Sequence, residues 1–122
     1  MGMLSYINGK KGEETARVYL EQKGFRIIEQ NYHSSQGEVD LIAQDKDFLV
    51  FIEVKSYSFK SFGKPLYAVT KTKKQAIIHA ARTFLMTRNI KDVNCRFDVI
   101  SIFHKRDGSD HIDHIEDAFY VK

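Results

Sequence analysis

One cysteine, one proline and no apolar run near the ~18 residues of a membrane helix set the first limits on this 122-residue chain. Cys95 alone can form neither an intramolecular disulfide nor a cysteine-based zinc site, which suits a reducing compartment and leaves a hydrophobic core to hold the fold. The N-terminal stretch holds only the short mixed run Met3-Leu4-Ser5-Tyr6-Ile7, without an apolar signal core or a small-residue cleavage site, so a cytoplasmic protein with no membrane partner is expected. No repeat, low-complexity tract or linker divides the chain, and its length is that of one compact domain, expected to span residues 1–122. Pro65, with Gly63, marks a loop over residues 58–65.

Acids are also missing, but from one stretch only. Residues 54–91 carry nine Lys/Arg and no Asp/Glu, whereas residues 1–53 carry nine Asp/Glu against six Lys/Arg and residues 107–122 carry five against one. The formal net charge of +3 therefore hides a basic middle between acidic flanks. Such a segment is either a phosphate-facing surface or a solvated lysine-rich face whose acidic partners lie elsewhere in sequence. Charge alone supports both.

The elements follow from hydrophobic period. Residues 10–23 place Ala16 and Leu20 at helical spacing, with Gly24 as the expected C-terminal cap. Residues 25–30 form a short β-rich run, followed by a polar loop over 31–36 and by Gly37, suited to a tight turn. Residues 38–43 and 48–55 read as a hairpin across Asp45-Lys46-Asp47, and the second arm is apolar on both faces like a central strand. Residues 71–88 return to helical period, and Asn89 helps to end that helix. A strand follows around residues 97–103, then a last one around 111–115 or 118–121. The order α-β-β-β-α-β-β predicts an α/β or α+β fold in about three layers, with helices against a mixed central sheet.

The informative residues are charges inside these apolar elements. Alternation along 48–55 puts Glu53 and Lys55 on one face with Leu49 and Phe51, and Val50, Ile52 and Val54 on the other. Ionised groups there are costly unless paired or metal-bound. With Lys46 as the turn centre, Asp40 comes within one residue of register with Glu53. Two carboxylates so placed repel, and a shared proton, a basic neighbour or a divalent cation relieves them. Lys55 supplies one basic neighbour. An oxygen site with few ligands suits Mg2+, which completes its shell with water and substrate phosphate. A cation held there would polarise a phosphodiester and acidify an attacking water, while Lys55 would position that water or stabilise charge on the phosphate. Without a cation the same residues form an Asp-Lys-Glu salt-bridge cluster.

Two further features bear on this choice. Glu13 falls within about a quarter turn of Ala16 and Leu20 on the first helix, so it is either a third acid aimed inward or a first-turn acid favoured by the helix dipole. Lys71, Lys73 and Lys74 crowd the first turn of the second helix, where the dipole disfavours cations. A bound phosphate would relieve them, and solvent exposure would make them cheap; Lys73 lies near the Ile77 stripe and leans toward the acids.

Taken together, Gly12-Glu13-x-x-Ala16-x-x-Tyr19-Leu20, Gly24, Asn31, Gly37-Glu38-Val39-Asp40-Leu41-Ile42, Phe51-Ile52-Glu53-Val54-Lys55, Gly63, Ala68-Val69, Lys73, Ala81, Leu85 and Arg96-Phe97-Asp98-Val99-Ile100 resemble the YraN/UPF0102 family of small bacterial proteins. The resemblance covers about residues 9–120. That family is similar to archaeal Holliday junction resolvases and belongs with the restriction-endonuclease-like, PD-(D/E)xK folds. The resemblance implies a restriction-endonuclease-like core, Mg2+ or Mn2+ as cofactor, and Asp40, Glu53 and Lys55 as the catalytic D…ExK set. It implies Glu13 as an acid contributed by the first helix and the Val54 carbonyl as an extra metal ligand. The sequence departs from the family pattern at His33 and Tyr57, where arginine is common. If those arginines bind phosphate, affinity or substrate choice differs in this chain.

Other chemically capable residues are read as structural. His111 and His114 stand three apart and point to opposite faces if their segment is a strand. His79 is a packing or surface residue, Cys95 has no recognisable His partner, and Asp98 pairs with a basic group such as Arg96 or a lysine of the middle segment. Tyr32 and Phe59 could stack on bases, but packing is their ordinary use. The leading expectation is a metal-dependent nuclease that hydrolyses DNA phosphodiesters in branched or structured substrates, with Lys71, Lys73 and Lys74 on the nucleic-acid backbone. The alternatives are a nucleic-acid-binding module without turnover and a structural protein. Symmetric cutting of a four-way junction would call for a homodimer.

Overall fold

Residues 49–52 are apolar without a break, which only a strand covered on both faces tolerates, and the architecture is built around that requirement. The computed structural model describes residues 2–59 and 69–120, with side chains from Lys11 onward. In chain order the elements are α1 (Gly2–Gln22), β1 (Arg26–Ser34), β2 (Gly37–Asp45), β3 (Phe48–Ser58), α2 (Lys71–Thr87), β4 (Asn94–His104) and β5 (Asp110–Phe119). The expected order α-β-β-β-α-β-β is the observed one. The strands form one mixed sheet in the order β1-β2-β3-β4-β5, antiparallel throughout except for β3 and β4, which run parallel and are joined through α2. Among the described residues, no helix is long and apolar enough to cross a membrane.

Each helix seals one face of the sheet. Ala16 and Leu20 of α1 pack with Phe25, Leu41, Val50, Ile52 and Ile100. Ile77, Ala80, Ala81 and Phe84 of α2 pack with Val39, Ile42, Phe51 and Val99 on the other side. The helix ends obey local chemistry. Gly24 takes φ 97, where the Gly24 N–H reaches the Glu21 carbonyl and the Phe25 N–H the Leu20 carbonyl at 2.9 Å, while Phe25 packs back on Leu20. Thr70 caps α2 by accepting the Lys73 N–H at 3.1 Å, and Asn89 leaves the helix with φ 54.

Several expectations need correction. α1 begins at Gly2 rather than near residue 10. The stretch 31–36 is not a loop: β1 runs to Ser34 and only Ser35 and Gln36 turn. Its polarity reflects an edge strand with solvated side chains, and Asn31 at φ 52 absorbs an irregular backbone there. The two candidate final strands are one, β5, carried past a register shift where Asp117 has φ 53. Gly63, Pro65 and Ala68 lie outside the described residues, as does Val121, while Ser58 ends β3.

Gly37 is required for a reason that turn chemistry does not supply. A Cβ there would lie 2.0 Å from the Ala76 carbonyl oxygen of α2, so the β1–β2 turn sits directly on helix backbone. Gly37→Ala must push strand and helix apart. It is expected to lower stability by about 1–3 kcal/mol, the usual cost of overpacking, read as the midpoint of urea unfolding. An unchanged midpoint would contradict the close approach.

Candidate functional site

The β2–β3 hairpin turns through Lys46 and Asp47, with Lys46 at φ 55, and pairs Asp45 with Phe48 up to Leu41 with Ile52. This two-residue turn removes the one-residue offset expected from a turn centred on Lys46, and makes Asp40 and Glu53 the next positions in line. Asp40 bends toward β3, where its Oδ2 accepts the Val54 N–H at 2.8 Å. Glu53 is 8% exposed among apolar neighbours, and its Oε2 is buried with no hydrogen-bond partner. Both acids are held far from their ordinary range. Burial pushes Asp40 up to about 6 against the Val54 hydrogen bond, with repulsion from Glu13 and Glu38 adding to it. Burial and then the Asp40 charge push Glu53 up to about 7, opposed by Lys73 and Lys55.

Lys73 reaches this pair from α2. Its Nζ lies 3.7 Å from Glu53 Oε1 and 3.9 Å from Glu38 Oε1, so one ammonium bridges a buried acid and an exposed one. Of the three lysines in that first turn, it is the one that meets the acids. Lys71 is exposed, and Lys74 leans the other way, with Nζ 5.8 Å from the centre of the Phe119 ring. Glu13, half-buried on α1, acts on Asp40 through its charge, and Lys55 acts on Glu53 in the same manner. Asp40, Glu53, Lys73 and Glu38 thus form the site, with Glu13 and Lys55 around it.

Glu38 is the member that sequence reading missed. Its signal was present as the i, i+2 spacing of Glu38 and Asp40 on one strand, but an exposed acid at a strand end ordinarily means only solvation. It also meets His33, whose Nδ1 lies 3.2 Å from Glu38 Oε2.

Among the described residues, no three His, Cys, Asp or Glu side chains converge as a ready-made metal cage. The fit to a cation rests instead on two carboxylates, one with an orphaned buried oxygen, which is the small donor set that Mg2+ uses alongside water and phosphate. An uncompensated acceptor of this kind is costly to keep without a ligand.

A second charged cluster lies on the α1 face. Asp98 is fully buried and accepts from Arg96 Nε at 2.9 Å, Arg96 Nη2 at 3.0 Å and the Asp117 N–H at 3.0 Å, with His114 Nε2 at 2.8 Å. Burial raises this carboxyl, but the hydrogen bonds from His114, Arg96 and Asp117 outweigh it and hold the group below its usual range. The expected Asp98–Arg96 pair is therefore present. His114, its side chain buried, packs between Tyr19 and Phe25, whereas His111 faces solvent beside Asp113, so the two histidines do point to opposite faces. His79 is tied to Ser34 Oγ at 2.8 Å. Desolvation raises the Cys95 thiol, the opposite of what a nucleophile needs. Tyr32 packs edge-on against Phe84, and Phe59 lies under the Arg106 guanidinium.

The family model described as uncharacterised protein family UPF0102 matches residues 12–102, the span that holds the whole Asp40–Glu53 site. Curated relatives agree along nearly the full length. A UPF0102 protein of Syntrophus aciditrophicus is 43% identical over 111 residues, covering 91% of this chain and 87% of its own. One from Persephonella marina is 40% identical over 117 residues, covering 96% and 97%. One from Prosthecochloris aestuarii is 39% identical, with both chains fully covered.

Proposed function

The chain belongs to the UPF0102 family, and from that premise we propose that it is a metal-dependent nuclease of restriction-endonuclease-like fold that hydrolyses DNA phosphodiesters in branched or structured substrates. The observation that carries this reading is the buried, unpartnered Oε2 of Glu53 beside Asp40, in a pair whose carboxyls burial and repulsion from neighbouring acids both push up from their ordinary range. Asp40 and Glu53 would hold Mg2+ or Mn2+, with the Val54 carbonyl and Glu13 completing the protein's share of the ligands. When bound, the cation would supply Lewis-acid activation of the phosphate and of a water.

The chain's own residues do the rest. The Val54 N–H fixes the Asp40 carboxylate, so the acid is oriented before any ligand arrives. Lys55 follows Glu53 by one strand repeat and would orient the attacking water and steady charge on the phosphate. Water oxygen would bond to phosphorus as the bond to the leaving sugar oxygen breaks, the water's proton passing to bulk solvent and the leaving oxygen taking one from it. Lys73 bridges Glu53 and Glu38 in the resting protein and would be a cation for the phosphate backbone when substrate binds. Symmetric incision of a four-way junction would need two such sites, hence a homodimer.

A second reading draws on that same bridge. An ion pair from Lys73 to Glu53 is also what a nucleic-acid-binding module without turnover would keep. Incubating the purified protein with junction, flap, duplex and single-stranded DNA, with and without Mn2+, separates the two. Metal-dependent products on the branched substrates are expected, and salt-sensitive binding with no cleavage under any metal would leave the binding module.

A further inference from the structure

Resting on the reading of the chain as a DNA-cleaving protein, we propose that the groove between α2 and the β1–β2 turn is a track for the phosphate backbone of the DNA flanking the cut site. The groove has a volume of about 620 Å3 and is lined by Gln36 from the turn, by Thr72, Gln75, His79 and Arg82 from α2, and by the apolar Ala76 and Ile78 between them. These four α2 positions recur at intervals of three, four and three residues, so they form one stripe, opposite the buried Ile77, Ala80, Ala81 and Phe84. Each polar side chain in the lining is a hydrogen-bond donor or a cation, and no carboxylate lines it among the described residues.

The fold builds this groove. Gly37 lets the turn descend onto the Ala76 carbonyl, and Ser34 Oγ holds His79 Nδ1 at 2.8 Å, so a ligand would meet that ring through Nε2. Thr72, at one end of the groove, precedes Lys73, whose Nζ is within 3.9 Å of both Glu53 and Glu38, and the lining stripe extends along about 15 Å of helix. That length is enough to meet more than one phosphate of a strand. The nearest exposed acid at the turn, Glu38, already has the Lys73 ammonium 3.9 Å away. A concave strip without carboxylates, whose Thr72, Gln75, His79 and Arg82 come from the acid-free segment 54–91, is complementary to a polyanion.

The test is fluorescence anisotropy of a labelled duplex titrated without divalent metal across a range of salt, comparing the parent protein with Arg82→Ala and with the double variant Gln75→Glu/Arg82→Glu. Both positions are exposed, and a melting curve checks that the variants fold. Arg82→Ala should make the slope of log affinity against log salt shallower by about 0.9, the loss of one phosphate contact. The double variant should bind at least about tenfold more weakly, with a shallower slope still. Unchanged affinity and slope in folded variants would overturn the track and leave the groove to an acidic protein or to solvent. A parent protein that binds no duplex would overturn the track together with the nuclease reading. A parent that binds through this groove yet never cleaves with Mn2+ would uphold the track and sink only the nuclease reading.

Discussion

Replacing Glu53 with Gln is expected to lower Mn2+-dependent DNA cleavage by more than about 100-fold, because removing even an outer-shell partner of a metal ligand typically costs 10–100-fold. DNA affinity should be undiminished, since the substitution removes a negative charge near the phosphate path. The same variant should be more stable than its parent. Asp40 and Glu53 have folded pKa values near 6 and 7, above the ordinary carboxylate value near 4, so between about pH 4 and pH 7 the metal-free folded state binds more protons than the unfolded one. Stability contributed by the pair is therefore present at low pH and is lost as pH rises through the folded values. Glu53→Gln removes much of that loss, a gain on the order of 1–3 kcal/mol at about pH 8. Activity and stability thus move in opposite directions, as expected where a fold stores electrostatic cost at a functional site. Cleavage rates and urea midpoints on one preparation read both. A variant that cuts like the parent would remove Glu53 from the site.

Asp98→Ala should have the largest effect on stability. It strips the shared partner from Arg96 and His114; Arg96 keeps Asp45 at 3.1 Å and Glu116 at 3.3 Å, but the buried His114 Nε2 loses its partner. Breaking a buried pair on one side costs about 3–5 kcal/mol, a fall in melting temperature of roughly 10 °C or more for a chain of this size. The Asp117 N–H, which closes the β5 irregularity on Asp98, is orphaned as well. A melting temperature within about 2 °C of the parent would show that the network is not what holds β4 and β5 to α1.

The sequence made the hairpin and its acids legible because strand alternation and a short turn are local rules: Leu49, Phe51 and Glu53 had to share a face, and Asp40 had to return near Glu53. Thr70 and Gly24 were readable for the same reason, since caps are decided within a few residues. What escaped is tertiary. Glu38 gains meaning only because Lys73 comes to it from another element. The need for Gly37 comes from Ala76 of α2, and the strand character of residues 31–34 comes from pairing with β2 rather than from their own composition. Lys74 carried the same signal as Lys73 but points to Phe119, one residue being enough to change a helix side chain's face.

Calorimetric titration of Mn2+ into the parent protein at about pH 8, above the folded pKa values of both acids, tests most directly whether the Asp40–Glu53 pair is a cation site. One site per chain is predicted, with proton release appearing as the titration is repeated near pH 6, and with no measurable site in Glu53→Gln. Heats indistinguishable from dilution in the parent, or equal binding in the variant, would contradict it.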